Sequence, residues 1–423
     1  MPFTANRDFK TAPRLQTRSE GVYYWNEHGD KILDGCSGLF NVAAGHNRPE
    51  IREAVYHQLG ELDYAPHFQL GFPDSFELAR QLSEITPGDL NHIFYTCSGS
   101  DAVETSLKIA LAYHRARGDG HRVRLVGRER AYHGVNFGGL SVSGIGRNKE
   151  AFGAGLSGVH HIAHTWLPEN RFIKGQPEYG AHLANDLERL AQTCGDTIAA
   201  CIVEPVAGST GVLVPPKGYL ERLREICDFH GILLIFDEVI TGFGRLGTPF
   251  GADAFGVTPD LMTMAKAITN GCLPMGAVAT KDSIYETITE AADEGLIELF
   301  HGYTYSAAPV VVAAALATQE IYRREGLFER AQAMTPIFLD ALFSLKDLPI
   351  ITDIRGYGML GGVDLAPDGK VGHRGHQTYL RLYEAGLQIK ATGDALMIAP
   401  PLIVESSHVE MITERLKKVL SAI

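Results

Sequence analysis

The stretch from Ile232 to Lys266, ILLIFDEVITGFGRLGTPFGADAFGVTPDLMTMAK, limits the possible folds of this chain more than any other. Ile232 to Phe236 is a continuous apolar run without alternation, the pattern of a strand covered on both faces, as in a parallel sheet sandwiched by helices. Asp237 and Glu238 end it, and the carboxyl ends of such strands are where open α/β sheets gather ligand-binding groups. A second apolar run, Leu261 to Ala265, leads into Lys266 and continues with Ala267-Ile268, so the ammonium has few polar neighbours in sequence. Taken alone, an aspartate at a strand end is more often just solvated, and a lysine there as often snorkels as serves a function. Taken together they suggest a reactive centre: desolvation lowers a lysine's pKa and leaves an amine able to form a Schiff base with an aldehyde.

The rest of the chain supplies a frame for that centre. Gly21 to Asp34 alternates and predicts a hairpin turning at Glu27-His28-Gly29-Asp30, followed by a helix over Pro49 to Leu62 with Ile51, Val55 and Leu59 on one face. Ser75 to Thr86 reads as a helix stopped by Pro87-Gly88, and His92 to Thr96 as a short strand. Ser98-Gly99-Ser100-Asp101 then opens a helical stripe of Val103, Leu107, Ala110, Leu111 and His114. A strand, a small turn and a helix N-terminus offer unpaired N–H groups to a phosphate, although the same residues equally make an ordinary Ser/Asp cap. Val123 to Val126, Ile198 to Val203 and Gly276 to Thr280 read as further strands, and Tyr219 to His230 and Val310 to Arg324 as helices. Tyr132-His133-Gly134 opens a glycine-rich loop whose aromatic pair suits either a flat heterocycle or loop packing. Glycines 356, 358, 361 and 362 mark a tight region, and a helix over His408 to Leu420 closes the chain. Strand and helix alternate from about residue 90 to 280, which predicts a largely parallel sheet with helices on both faces.

Composition excludes several classes of function. A formal net charge of -12 disfavours nucleic acid and anionic membranes as partners. Six cysteines without a CxxC pair fit a reducing cytoplasm better than a disulfide framework or a structural zinc. Neither a signal peptide nor a membrane span is recognisable. Gly242 to Gly247 matches GxGxxG after a strand, but Pro249, Gly251 and Gly256 follow where a dinucleotide fold needs an amphipathic helix. His160, His161 and His164 lack a carboxylate or cysteine at a recognised spacing, so no metal site is expected. No GxSxG elbow is present.

With the SGS turn, the YHG loop, DEVITGFGR, the lysine and HGYTYS in that order, the chain resembles the class III aminotransferases, pyridoxal-phosphate enzymes of fold type I. Within them it is similar to the β-alanine:pyruvate and ω-amino acid:pyruvate transaminases. The likeness runs from Phe3-Thr4-Ala5-Asn6-Arg7 to Ala399-Pro400-Pro401-Leu402. It implies an α/β fold with a large cofactor domain over residues 66–310 and a smaller α+β domain from residues 1–65 and 311–423. It also implies a homodimer or dimer of dimers with shared active sites. Lys266 would carry pyridoxal 5'-phosphate as a Schiff base and shuttle protons, and Asp237 would pair with the ring nitrogen. Val239 and Tyr132 would pack on opposite ring faces, Gly99 and Ser100 would hold the phosphate, and Thr304 would reach the phosphate of the neighbouring subunit. Ser98, His133 and Glu204 complete the implied cofactor set, while Phe40, Tyr132 and Lys390 would border the substrate.

Departures from the family pattern bear on the substrate. Relatives using 2-oxoglutarate have an arginine near Met397; its absence removes a bidentate clamp and points away from that acceptor. Lys390 stands where pyruvate-using relatives have a mobile arginine, keeping the charge and losing the planar fork. Phe40 replaces a common tryptophan. The function expected is transfer of an amino group from an ω-amino acid or amine, β-alanine-like, taurine-like or aryl, to pyruvate or a similar short oxoacid. A same-fold aminomutase or decarboxylase is the alternative.

Overall fold

The computed structural model describes residues 1–153 and 155–423. Seven strands form the central sheet, in the spatial order His92–Thr96, Gly276–Thr280, Leu261–Ala265, Leu233–Asp237, Ile198–Val203, Arg124–Arg128, Val159–Ile162. From Leu261–Ala265 to the far edge all neighbours run parallel. Gly276–Thr280 is antiparallel to both of its neighbours, a reversal that the expected parallel sheet lacks. The reason is the connection: Lys266 to Met275 is too short to carry a crossover helix, so the chain returns beside the strand it has just left. Ile198–Val203, Leu233–Asp237, Leu261–Ala265 and Gly276–Thr280 are buried at every position. Ile235 joins one apolar core and Leu234 and Phe236 the other, so the unalternating run reports a sheet covered on both faces.

The two ends of the chain share a second sheet. Gln16–Glu20, Tyr23–Asn26 and Lys31–Asp34 form a meander, and Leu387–Gln388 adds to it in parallel on Lys31–Asp34. A third sheet has the order Ile351–Tyr357, Leu360–Leu365, Ala395–Ile398, Lys390–Thr392. Its first hairpin accounts for the glycine-rich region: Gly358 turns the chain at φ +59°, and a Cβ there would fall 2.4 Å from Leu246 Cα. The helix Pro49–Glu61 packs on Pro309–Arg324, with Ile51 buried; Leu59, expected on the same inward face, is exposed near the helix end.

The GxGxxG segment is a run of turns, and the helix that follows, Gly251–Phe255, is too short to serve a dinucleotide. Its task is to join the sheets. Arg245 is buried and donates to the Met359 carbonyl (3.1 Å), the Pro400 carbonyl (2.7 Å) and Ser37 Oγ (2.9 Å). His160 lies 2.9 Å from Arg124 Nη1, and His161 2.9 Å from the Ser143 carbonyl.

Candidate active site

A cavity of about 430 Å3 opens at the carboxyl ends of the parallel strands. Nine of the expected residues line it together: Ser98, Gly99 and Ser100 from one turn, Tyr132 and His133 from the next, and Glu204, Asp237, Val239 and Lys266 from three strand ends.

Lys266 starts a single 3-10 turn, Lys266–Thr269, directly after its strand. Its φ is +51°, a left-handed conformation that costs a residue with a Cβ about 1 kcal/mol or more. The turn is held from outside: Tyr322 Oη donates to the Ala267 carbonyl at 2.7 Å, Gln319 Nε2 to the Ile268 carbonyl at 3.2 Å, and Gly271 N to the Lys266 carbonyl at 3.1 Å. Backbone strain therefore aims this side chain into the cavity. Among the described residues Nζ has no hydrogen-bond or ion-pair partner. Burial depresses its pKa; Asp237 and Glu204 oppose that shift without reversing it, and Lys390 adds to it.

Asp237 ends the central strand with its carboxylate 5% exposed. Oδ1 accepts from Val239 N (3.1 Å) and Thr263 Oγ1 (3.2 Å), and Oδ2 lies 2.8 Å from His133 Nδ1. His133 is fixed through its backbone N–H, which donates to Ser143 Oγ at 2.8 Å. Among the described residues its Nε2 is buried without a partner, and its Nδ1 faces the carboxylate. Glu204 acts on the backbone instead: Oε1 accepts from Tyr132 N (3.0 Å) and Oε2 from Gly208 N (3.1 Å), placing the Tyr132 ring at the cavity. Burial raises its pKa.

The helix Gly99–Ala116 begins at the same cavity, beside Val239 and Ala265. Ser98 Oγ caps it by accepting from Asp101 N at 3.2 Å, and Ser100 Oγ accepts from Val135 N at 3.1 Å. Among the described residues the N–H groups of Gly99 and Ser100 have no acceptor in the chain. Space here is exact to a methyl group: a Cβ on Gly134 would fall 2.6 Å from Ser100 Oγ, and one on Gly99 3.0 Å from Val239 Cγ1. An apolar slot between Tyr132 and Val239, a free amine, a buried carboxylate and a helix N-terminus fit pyridoxal phosphate, a flat cationic ring with an aldehyde and a phosphate.

Three expected residues stand apart. Thr304 is exposed and away from this cavity, its carbonyl accepting from Tyr64 Oη at 3.0 Å. Phe40 is buried in the core at φ +65° and does not line the cavity. Lys390 borders a second cavity beside the first. The first cavity in turn contains residues that the sequence analysis did not single out: Asn41 and the run Cys272-Leu273-Pro274-Met275. Asn41 comes from the same loop as Phe40, one residue on. The second run lies in the short reversal that made Gly276–Thr280 antiparallel, and Pro274-Met275-Gly276 directly after Lys266's turn was the available signal.

Comparison with known proteins agrees with this geometry. The family model described as aminotransferase class-III matches residues 4–420. An omega-aminotransferase of Caulobacter vibrioides is 54% identical over 100% of this chain and 97% of its own length. A beta-alanine–pyruvate aminotransferase of Pseudomonas aeruginosa is 46% identical over 100% of this chain and 95% of its own. The crystal structure of the omega transaminase from Pseudomonas jessenii in complex with PMP superposes with a TM-score of 0.95 at 32% identity, covering 100% of this chain and 95% of that one.

Proposed function

This chain belongs to the class III aminotransferases, and from that premise we propose how its cavity moves an amino group from an ω-amino acid or amine to pyruvate or a similar short oxoacid. The observation that carries the reading is Lys266: an unpaired, desolvated amine held by a strained backbone opposite the Asp237–His133 pair.

Pyridoxal phosphate, when bound, supplies an aldehyde for the amine and a ring that accepts electrons from the reacting carbon. Lys266 would hold it through its amine, and the same amine is placed to take a proton from the substrate carbon that bears the amino group. Burial lowers its pKa and so favours the unprotonated amine that this task needs. Asp237, oriented by His133, would pair with the ring nitrogen and favour a proton there. Tyr132 and Val239 would pack against the ring. Ser98, Gly99 and Ser100 would receive the phosphate at the helix N-terminus. Lys390 draws the substrate carboxylate as a point charge, and Phe40 shapes the loop that carries Asn41.

We assign the assembly as a dimer. Thr304 sits in an exposed aromatic patch: Tyr64 and Tyr305 have ring centroids 6.4 Å apart, and a Cβ on Gly302 would come 3.0 Å from Phe68. Tyr305 is 72% exposed and Phe300, five residues earlier, 86%, apolar surface of the kind a partner covers. A second copy covering the patch would bring Thr304 to the partner's phosphate. No helix of the described residues is long and apolar enough to cross a membrane. All six cysteines are free, which suits a reducing cytoplasm.

The test is stoichiometry. Incubated with β-alanine and pyruvate, the enzyme is expected to form one alanine per amine consumed and to stop when pyruvate is withheld. Release of carbon dioxide, or turnover without an oxoacid, would replace this reading with a decarboxylase or aminomutase.

A further inference from the structure

Beside the reaction cavity lies a second one, of about 410 Å3, roofed by the N-terminal arm and floored by the helix His373–Glu384 and the strand Lys390–Thr392. The two are neighbours through one loop: Gly38 and Leu39 line the second and Asn41 the first. The chain as a whole is acidic, at -12, yet among the described residues no Asp or Glu lines this cavity. Arg14, His376 and Lys390 do, with Gln16, Gln388, Tyr379 and Tyr383 between them. Among the described residues Lys390 has no ion-pair partner and Tyr383 Oη is buried without a hydrogen bond.

Arg14 is the best-held of these cations. Its side chain is 14% exposed, and the guanidinium lies over the rings of Phe9 (5.2 Å) and Tyr379 (5.7 Å). Nη1 donates to the Ala12 carbonyl at 3.1 Å, while Nε and Nη2 donate to nothing among the described residues. Asp8 stands behind it, 4.0 Å from Arg14 Nη1 and 3.3 Å from His376 Nε2, in a neighbouring groove that Arg14 and Tyr383 also border. A planar fork, gripped by aromatics and with donors to spare, is what carboxylate recognition needs and what Lys390 alone cannot supply.

We propose that this cavity is the outer part of the substrate site and that Arg14 is a specificity-determining residue, binding with Lys390 the carboxylate of ω-amino acids whose acid group lies several carbons from the amine. The inference rests on the transaminase reading for its second test and not for its first. The first is calorimetric titration with pentanoate, which has the carboxylate and no amine. Wild type is expected to bind it, and Arg14→Gln to bind it about tenfold more weakly or worse, with Arg14→Lys recovering part of the loss. The second compares 5-aminopentanoate with pentylamine as donors at saturating pyruvate. In Arg14→Gln the ratio of their kcat/KM values is expected to fall about tenfold, through KM of the acid. Pentanoate affinity unchanged by Arg14→Gln, or equal losses for both donors, would overturn the proposal and leave Arg14 a packing residue of the arm.

Discussion

Neither Lys266 nor Asp237 stood out alone; the two together, each ending an apolar run, suggested a centre, and the structure brings both to one cavity. A charged group there needs a partner or a task, and among the described residues Lys266 Nζ has no partner. Lys266→Ala is expected to remove covalent cofactor attachment and lower kcat by several orders of magnitude, read as loss of the visible cofactor band together with turnover. Gly134→Ala tests the phosphate end separately. The new methyl would meet Ser100 Oγ at 2.6 Å, at a position with φ +92°, so cofactor affinity should drop while the fold persists. Unchanged affinity in equilibrium dialysis would free Ser100 from that role. Asn41 and Cys272 were not legible, since neither has a distinctive sequence neighbourhood and both reach the cavity only because separate loops converge. Phe40 shows the converse: it stands at a position the family uses for substrate, yet its own side chain is buried in the core.

Among the elements, strand bounds read well where burial is complete. Ile198–Val203 and Gly276–Thr280 stand as expected, because a run buried on both faces has apolar residues at every position and stops where it leaves the sheet. Direction did not read: only the length of the Lys266–Met275 connection shows that Gly276–Thr280 runs backwards. The GxGxxG segment was correctly set aside as a nucleotide loop, but its actual work depends on three carbonyl or hydroxyl acceptors far away in sequence. Arg245→Ala should leave those buried acceptors unpaired and destabilise the chain by about 3 kcal/mol or more, seen as a large fall in melting temperature. A smaller effect is expected where the helices Pro49–Glu61 and Pro309–Arg324 are tied by Arg48, Glu50, Arg324 and Glu325. The Arg48 guanidinium beside Glu50 holds its carboxyl down at about 2, below its ordinary 4.5. A depressed carboxylate stabilises the fold above its unfolded pKa and stops doing so as pH falls through the folded value. Glu50→Gln should therefore melt below wild type at neutral pH, with the gap closing between about pH 4.5 and about pH 2. The pair is partly exposed, so screening keeps the difference small.

For the whole molecule, the family resemblance implied a small domain built from both chain ends; in the structure Leu387–Gln388 pairs in parallel with Lys31–Asp34, so residues from both ends share one sheet. The exposed aromatic patch was invisible beforehand, since apolar residues at 64, 68, 300 and 305 look like any core positions until the fold leaves them outside. Tyr305→Asp should convert dimers to monomers in light scattering and remove activity with them, because Thr304 would then lose the partner's phosphate. The most direct test of the central claim, that Lys266 and its cavity run two half-reactions on one cofactor, is the visible absorption spectrum of the enzyme loaded with pyridoxal phosphate. It should be followed as β-alanine and then pyruvate are added. The band is expected to disappear with the amine and return with the oxoacid; a band that never forms, or one that no ω-amino acid or amine discharges, would contradict the account.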